Sequence, residues 1–237
     1  METMRLDKYL AEAAGMTRSE AHRALAAGRV TVDGTVCRRP DEKCARGVGL
    51  ALDGVPLAHE KFVYLMLNKP EGVVSASRDK ADTTVVDLVG AAYPRRELFP
   101  AGRLDKASTG FVLVTDDGAF AHDILSPRHH VSKTYRVVLD TPLTEAMEAG
   151  FAAGVTLADG ETMAAAEVKA LTPDRRTVRV VLHQGVYHQI KRMFGVYGAG
   201  VDALHREAIG AVELDKMLKP GEHRPLTAAE LTLLKGK

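Results

Sequence analysis

The stretch 101–118, AGRLDKASTGFVLVTDDG, decides how the chain is read. It begins as a polar loop bounded by Gly102 and Gly110 and continues as an apolar run over 111–114. Glycines on both sides let the backbone turn tightly and let another molecule approach it closely. The loop carries one carboxylate, Asp105, two residues after a guanidinium, Arg103. An acid and a cation shown at the foot of a core strand make a candidate reactive centre. Asp116 and Asp117, further on, read as a helix start, where carboxylates cap the first turn and meet the positive end of the dipole. No histidine or third carboxylate stands beside them at ligand spacing, so they are not read as a metal site.

Upstream of the loop, 63–67 reads as a buried strand, closed by a turn at NKPEG (68–72). Residues 84–89 read as a short helix. Downstream, a helix is expected from Gly118, with Phe120, Ala121, Ile124 and Leu125 inward. Its basic end, SPRHH (126–130), suits phosphate contact better than metal. Residues 132–140 alternate as a strand, with Tyr135, Val137 and Leu139 on one face. Strands at 167–171 and 177–182 belong to the same sheet, separated by a turn at 172–174. A helix opens near Tyr187, with Ile190, Met193, Phe194 and Tyr197 inward and His188, Lys191 and Arg192 left for a partner. One or two strands over 201–212 hold His205 and Arg206, and a last helix starts at 225–227. Strands and helices without regular alternation predict an α+β fold with a mixed, largely antiparallel sheet.

The segment 1–60 has a separate character. Leu6, Tyr9, Leu10 and Ala13 recur at helical spacing, and Thr17 with Glu20 forms a capping box for a second helix. Two short strands around Asp33-Gly34 and another near 48–52 complete a small α/β domain. Its arginines, Arg18, Arg23 and Arg29, lie off the apolar face, with Arg38, Arg39, Lys43 and Arg46 nearby. They form either a solvated face or a row that follows a nucleic-acid backbone. Residues 56–61 read as the linker to the second domain, 61–237.

Composition narrows the function. With 237 residues, 46% hydrophobic and 27% charged, the chain is long enough for a small domain and a larger one, each with a core. The net charge of +1 means that any basic surface is local. Two cysteines, Cys37 and Cys44, make neither a disulfide framework nor a zinc spacing and suit a reducing cytoplasm. No apolar run reaches membrane-span length, and the charged N-terminus is not a signal peptide. Walker, dinucleotide, zinc-deaminase and nucleophile-elbow signatures are all missing.

Asp105, Tyr135 and the basic helix start at His188, Lys191 and Arg192 are the parts to be joined. An ionised aspartate beside a flat aromatic and a basic groove suits attack on a nucleotide drawn out of its stack. On these residues alone the chain could be a glycosyl-bond enzyme, a nuclease, or a binding protein with a structural ion pair. The motifs AGRLDKASTGFVLVTDDG, NKPEG, SPRHHVSKTYRV, YHQIKRMF and LHREAIG closely resemble those of the pseudouridine synthases. The segment RLDKYLAEAAGMTRSEAHRALAAGRVTVDG resembles the small RNA-binding domain named after ribosomal protein S-four. Together they point to the branch acting on ribosomal RNA, and within it to the small-subunit type.

The resemblance implies a monomer that isomerises one uridine of small-subunit ribosomal RNA, or of an assembly intermediate, without metal or other cofactor. Asp105 would be the nucleophile and Tyr135 would stack on the flipped base. Lys191, standing where many relatives carry Arg, would keep Asp105 ionised. Arg103 would shape the site and occupy the gap left by the base, while His188 and Arg192 would contact substrate. Arg18, Arg23 and Arg29 would bind RNA. The same chemistry on large-subunit RNA and a catalytically silent RNA-binding assembly factor are the alternatives.

Overall fold

The computed structural model describes residues 3–45, 47–57, 61–94, 96–126 and 131–235. Arg46, residues 58–60 of the expected linker, and 127–130 of the basic stretch lie outside them. The chain divides into two compact units, Met1–Phe62 with Tyr93–Arg96, and Val63–Ala92 with Glu97–Lys237.

The first unit starts with β1 (Thr3–Arg5), α1 (Leu6–Ala13) and α2 (Arg18–Ala26). Thr17 caps α2 through the Glu20 amide, and the Glu20 side chain returns to the Thr17 amide, the reciprocal box expected from the sequence. The strands β2 (Val30–Val32) and β3 (Thr35–Val36) form a hairpin about Asp33 and Gly34, both at positive φ. Next come β4 (Lys43–Ala45), β5 (Leu50–Leu52) and β6 (Val55–Leu57). Pro56 and Leu57 therefore belong to a strand, not to a linker. Pro56 is tolerated there because β6 is an edge of the order β3-β2-β5-β6. Leu6, Tyr9, Leu10, Leu25, Val30 and Leu50 form the core of this unit.

The second unit is built on a nine-stranded sheet. Its elements begin with β7 (Tyr64–Lys69), α3 (Val85–Gly90), β8 (Phe99–Ala101), β9 (Thr109–Thr115) and α4 (Gly118–Leu125). They continue with β10 (Lys133–Leu139), α5 (Glu145–Ala153), β11 (Val155–Thr156), β12 (Thr162–Met163), β13 (Glu167–Ala170) and β14 (Thr177–Leu182). The last are α6 (Gln189–Gly195), β15 (Val201–Ile209), β16 (Val212–Glu213), β17 (His223–Pro225) and α7 (Ala228–Leu234). The main path runs β13-β14-β10-β15-β9-β7-β17, with β8 on β9 and β16 on β15, while β11 and β12 make a separate hairpin.

Among these pairings only β15 with β9 is parallel. There Gly110 stands at φ 102°, and a Cβ on it would meet the Arg206 carbonyl oxygen at 2.4 Å and its nitrogen at 2.7 Å. The glycine is what lets these strands close up beside the Asp105 loop. Two local expectations need correction. The strand β7 runs on through Asn68 and Lys69, so the turn starts later, at Pro70, which cannot donate to a ladder. Leu125 is 43% exposed, because it ends α4 beyond the buried face made by Phe120, Ala121 and Ile124. Asp117 caps α4 by accepting from the Phe120 amide, and Asp116 accepts from Val63. Among the described residues no helix is long and apolar enough to cross a membrane.

Candidate active site

Asp105 lies in the loop between β8 and β9, and that loop is tied down along its length. The Ser75 hydroxyl donates to the Leu104 carbonyl at 2.9 Å and accepts from the Leu104 amide at 3.0 Å. Gly72 N–H donates to the Lys106 carbonyl. The Lys69 ammonium donates to the carbonyls of Pro70 (3.0 Å), Lys106 (3.2 Å) and Ser108 (2.6 Å). From β15, Arg206 donates through Nε to the Phe111 carbonyl (2.6 Å) and through Nη1 to that of Arg103 (3.4 Å). Lys69, Ser75 and Arg206 thus fix the backbone on both sides of the carboxylate.

The carboxylate borders a cavity of about 580 Å³, a size that suits a small ligand or a single nucleotide. Arg103, Asp105, Lys133, Tyr135, Ile190 and Lys191 are among its lining residues, together with His183–His188 and Arg206. Tyr135 is buried on β10, opposite Val180 on one side and Arg206 on the other. Its ring is therefore fixed by the sheet, as a stacking surface needs to be.

Asp105 Oδ1 is 3.2 Å from His188 Nε2, and both side chains are about one-third exposed. His188 is the N-cap of α6 and sits in the left-handed region, at φ 49° and ψ 30°. A non-glycine residue there is held by its surroundings, and such strain gathers at functional sites. Its ring stacks on that of Tyr187, with centroids 3.8 Å apart and planes 17° from parallel. Tyr187 is 72% exposed, at the edge of the cavity.

The structure thus brings together Arg103, Asp105, Tyr135, His188 and Lys191, and turns Arg192 elsewhere. The side chain against the Asp105 carboxylate is His188, while Lys191 lines the same cavity without a direct contact to Asp105. Arg192 is turned to the β11–β12 hairpin, where its Nη2 meets Asp159 at 2.6 Å and Glu161 at 3.1 Å, and it does not line the cavity. Consecutive residues of an α-helix project about 100° apart, so residues 191 and 192 lie on different faces. In the first unit, Arg29 is paired with Asp53, Arg18 lies 3.5 Å from Asp7, and Arg18 and Arg23 are exposed.

Sequence reasoning missed Lys69, Ser75 and Arg206. A signal was present for two of them: a lysine closing an apolar strand just before Pro70, and an arginine inside the strand-like LHREAIG. Cations in such places are buried, and buried cations need acceptors.

Known proteins give the site its context. A family model described as RNA pseudouridylate synthase matches residues 63–195, and an S4 domain model matches residues 4–48. The chain is 44% identical over 232 residues to ribosomal small subunit pseudouridine synthase A of Salmonella typhimurium, covering 96% of this chain and 98% of that protein. The protein of the same name in Escherichia coli K12 is 43% identical over 230 residues, with the same coverage. An uncharacterized RNA pseudouridine synthase of Bacillus subtilis, YtzG, is 40% identical, covering 98% of both chains. A crystal structure of a pseudouridylate synthase superimposes with a TM-score of 0.69 at 38% identity, covering 98% of this chain and 99% of that one.

Proposed function

The chain belongs to the RNA pseudouridylate synthase family and carries an S4 domain, and from that premise we propose that it converts one uridine of small-subunit ribosomal RNA to pseudouridine, with Asp105 as nucleophile. The observation that carries the reading is the Asp105 carboxylate itself. It is held on a braced loop, partly open to a nucleotide-sized cavity, with Tyr135 in the wall and His188 against one oxygen. The base must leave the RNA stack to reach that carboxylate. Tyr135 offers it a flat apolar surface, and base stacking of this kind is worth about 1–3 kcal/mol. Arg103, exposed beside the carboxylate, is placed to follow the RNA at the mouth of the site.

The S4 domain would add phosphate contacts through Arg18, Arg23 and Arg29, with the salt dependence that such contacts carry. The full-length likeness to proteins named for the ribosomal small subunit supports small-subunit RNA, and with it a cytoplasmic place of work, over the large subunit.

Asp105→Asn keeps the shape of the side chain and removes its charge. Pseudouridine formation by the variant is expected to fall by about 10⁴-fold or more, with RNA binding retained. A variant that still forms product at the parent rate sinks the nucleophile assignment. Mapping pseudouridine in ribosomal RNA from a deletion strain tests the substrate: one missing mark in the small subunit is expected, and a mark missing only from the large subunit overturns it.

A further inference from the structure

The cavity wall holds more positive charge than any carboxylate in contact with it accounts for. Burying a cation costs several kcal/mol unless an anion or a full set of acceptors replaces water. Lys69, wholly buried, has its three carbonyls. Two other cations do not. Lys133 is 8% exposed and lines the cavity, and among the described residues its ammonium has neither a hydrogen bond nor an ion pair. Arg206 is 3% exposed; Nε and Nη1 are engaged by carbonyls, but among the described residues Nη2 has no partner. A third buried donor on this cavity, the Ser108 hydroxyl, also has no partner among the described residues. The two cations oppose each other: Lys133 is pushed below its ordinary value, first by burial and then by Arg206.

Their placement says what they face. Lys133 and Tyr135 are alternate residues of β10 and stand on one face of the sheet. Tyr135 is paired across the ladder with Arg206 of β15. A base lying against Tyr135 is therefore flanked by the wall that carries both cations, while Asp105 comes from the loop between β8 and β9. Buried side chains at this depth suit the base better than the RNA backbone, which stays at the surface.

We propose that Lys133 and Arg206 form an anion-stabilising wall for the pyrimidine, offsetting the negative charge that uracil gains when its bond to the sugar breaks. The proposal rests on the isomerase reading above. The N1–C1′ bond breaks, and its electron pair leaves with the base, spreading from N1 to the O2 and O4 oxygens. C1′ is taken by the Asp105 carboxylate. The turned base then attacks C1′ through C5, the carboxylate leaves with the pair it had shared, C5 loses its proton and N1 gains one. Nothing is oxidised or reduced, and the charge on the base exists only between the two bond changes. Fixed cations aimed at that transient charge act like the donors of an oxyanion hole.

The test compares the full-length enzyme with Lys133→Met, which keeps the length of the side chain, and Lys133→Arg, which keeps its charge. Single-turnover rates are measured on small-subunit ribosomal RNA transcripts containing uridine or 5-fluorouridine. Fluorine draws electrons from the ring and makes the base a better leaving group, so it needs the cation less. Lys133→Met is expected to lose about 10²-fold in rate on uridine RNA, with half-saturating RNA concentration changed by less than about threefold. On 5-fluorouridine RNA the loss of the target nucleoside should be slowed by a factor about fivefold or more smaller than that, and Lys133→Arg should stay within about tenfold of the parent. Arg206 also braces the loop, so its own variants would mix the two roles.

An unchanged rate in Lys133→Met overturns the proposal, as does an equal loss on both RNAs, which would mark a packing role. A loss confined to half-saturation would assign Lys133 to an RNA phosphate and overturn it too. The isomerase reading fails separately, if the parent enzyme makes no pseudouridine in any ribosomal RNA or if Asp105→Asn keeps its rate.

Discussion

The two units of the chain bury charge in opposite ways. In the S4 unit Asp7 is 2% exposed and fully compensated. It accepts from the Arg5 guanidinium at 3.0 and 3.1 Å and from the Lys8 amide at 2.7 Å, with His22 Nε2 at 2.8 Å and Arg18 at 3.5 Å. Burial alone would push its carboxyl up, but the hydrogen bonds from Arg5, His22 and the Lys8 amide, with the charge of Arg18, hold it well below the usual carboxylate range. In the catalytic unit Lys69, Lys133 and Arg206 are buried cations, and among the described residues no carboxylate touches them. Burial pushes Lys69 down to about 8, with Asp105 and Glu71 opposing and Arg206 adding to the fall. Asp7 and Lys69 are closed by partners of their own, whereas Lys133 and the Nη2 end of Arg206, on the cavity wall, have none among the described residues.

Among Lys69, Asp7 and Arg192, the largest effect should come from Lys69. Lys69→Met removes the three donors that hold the Asp105 loop, and kcat is expected to fall by about 10²-fold with little change in RNA affinity. The pH dependence sharpens the contrast. With a folded value near 8 and an unfolded one near 10.4, the unfolded chain holds more protons in that window, so this lysine's contribution to stability rises with pH, by up to about 3 kcal/mol. Activity should move the other way, because a deprotonated amine has only two donors for three carbonyls. Denaturant midpoints and rates of the parent and Lys69→Met between pH 7 and 10 check both. Stability and activity falling together would mean that Lys69 is an ordinary structural cation.

How much of this was legible follows from the kind of signal. The capping box at Thr17 and Glu20, the Asp33-Gly34 hairpin and the alternation through Tyr135 are local patterns, and the structure shows all three. The Asp105 loop stood out because a polar Gly-bounded segment runs into an apolar strand. The bracing was hidden because it is non-local: Lys69 reaches residues 106 and 108, and Arg206 reaches 103 and 111, across strands whose order the sequence does not state. The same limit hid the difference between Lys191 and Arg192. Neighbouring cations look alike in sequence, and only the hairpin acids and the left-handed turn at His188 decide which one meets the cavity.

Asp7 gives the second test. Asp7→Asn leaves Arg5, Arg18 and His22 without their shared anion, and should cost about 2–3 kcal/mol in the S4 unit at neutral pH. Because the folded value is depressed, the parent's advantage is present above the unfolded value near 3.9 and is lost as pH falls from there through the folded one. Hydrogen exchange of the α1 and α2 amides at pH 7 and pH 3 would show the gap closing in acid. If the variant kept its protection but bound RNA more tightly, Asp7 would be holding cations in reserve for RNA, and the two units would no longer differ.

The smallest effect is expected at Arg192, and it asks whether a closed charge can sit within a helical turn of the open site. Its guanidinium is shared by Asp159 and Glu161, both well exposed, so the pairs are screened by water and salt. Arg192→Ala should therefore lower stability by less than about 1 kcal/mol and leave kcat and KM within about twofold. Lys191→Ala, one residue away on the cavity wall, should raise KM or lower kcat by a clearly larger factor. Side-by-side kinetics on one ribosomal RNA transcript decides between them. A tenfold loss in RNA affinity for Arg192→Ala alone would mean that substrate draws the guanidinium away from its acids, and that the β11–β12 hairpin holds it only until RNA arrives.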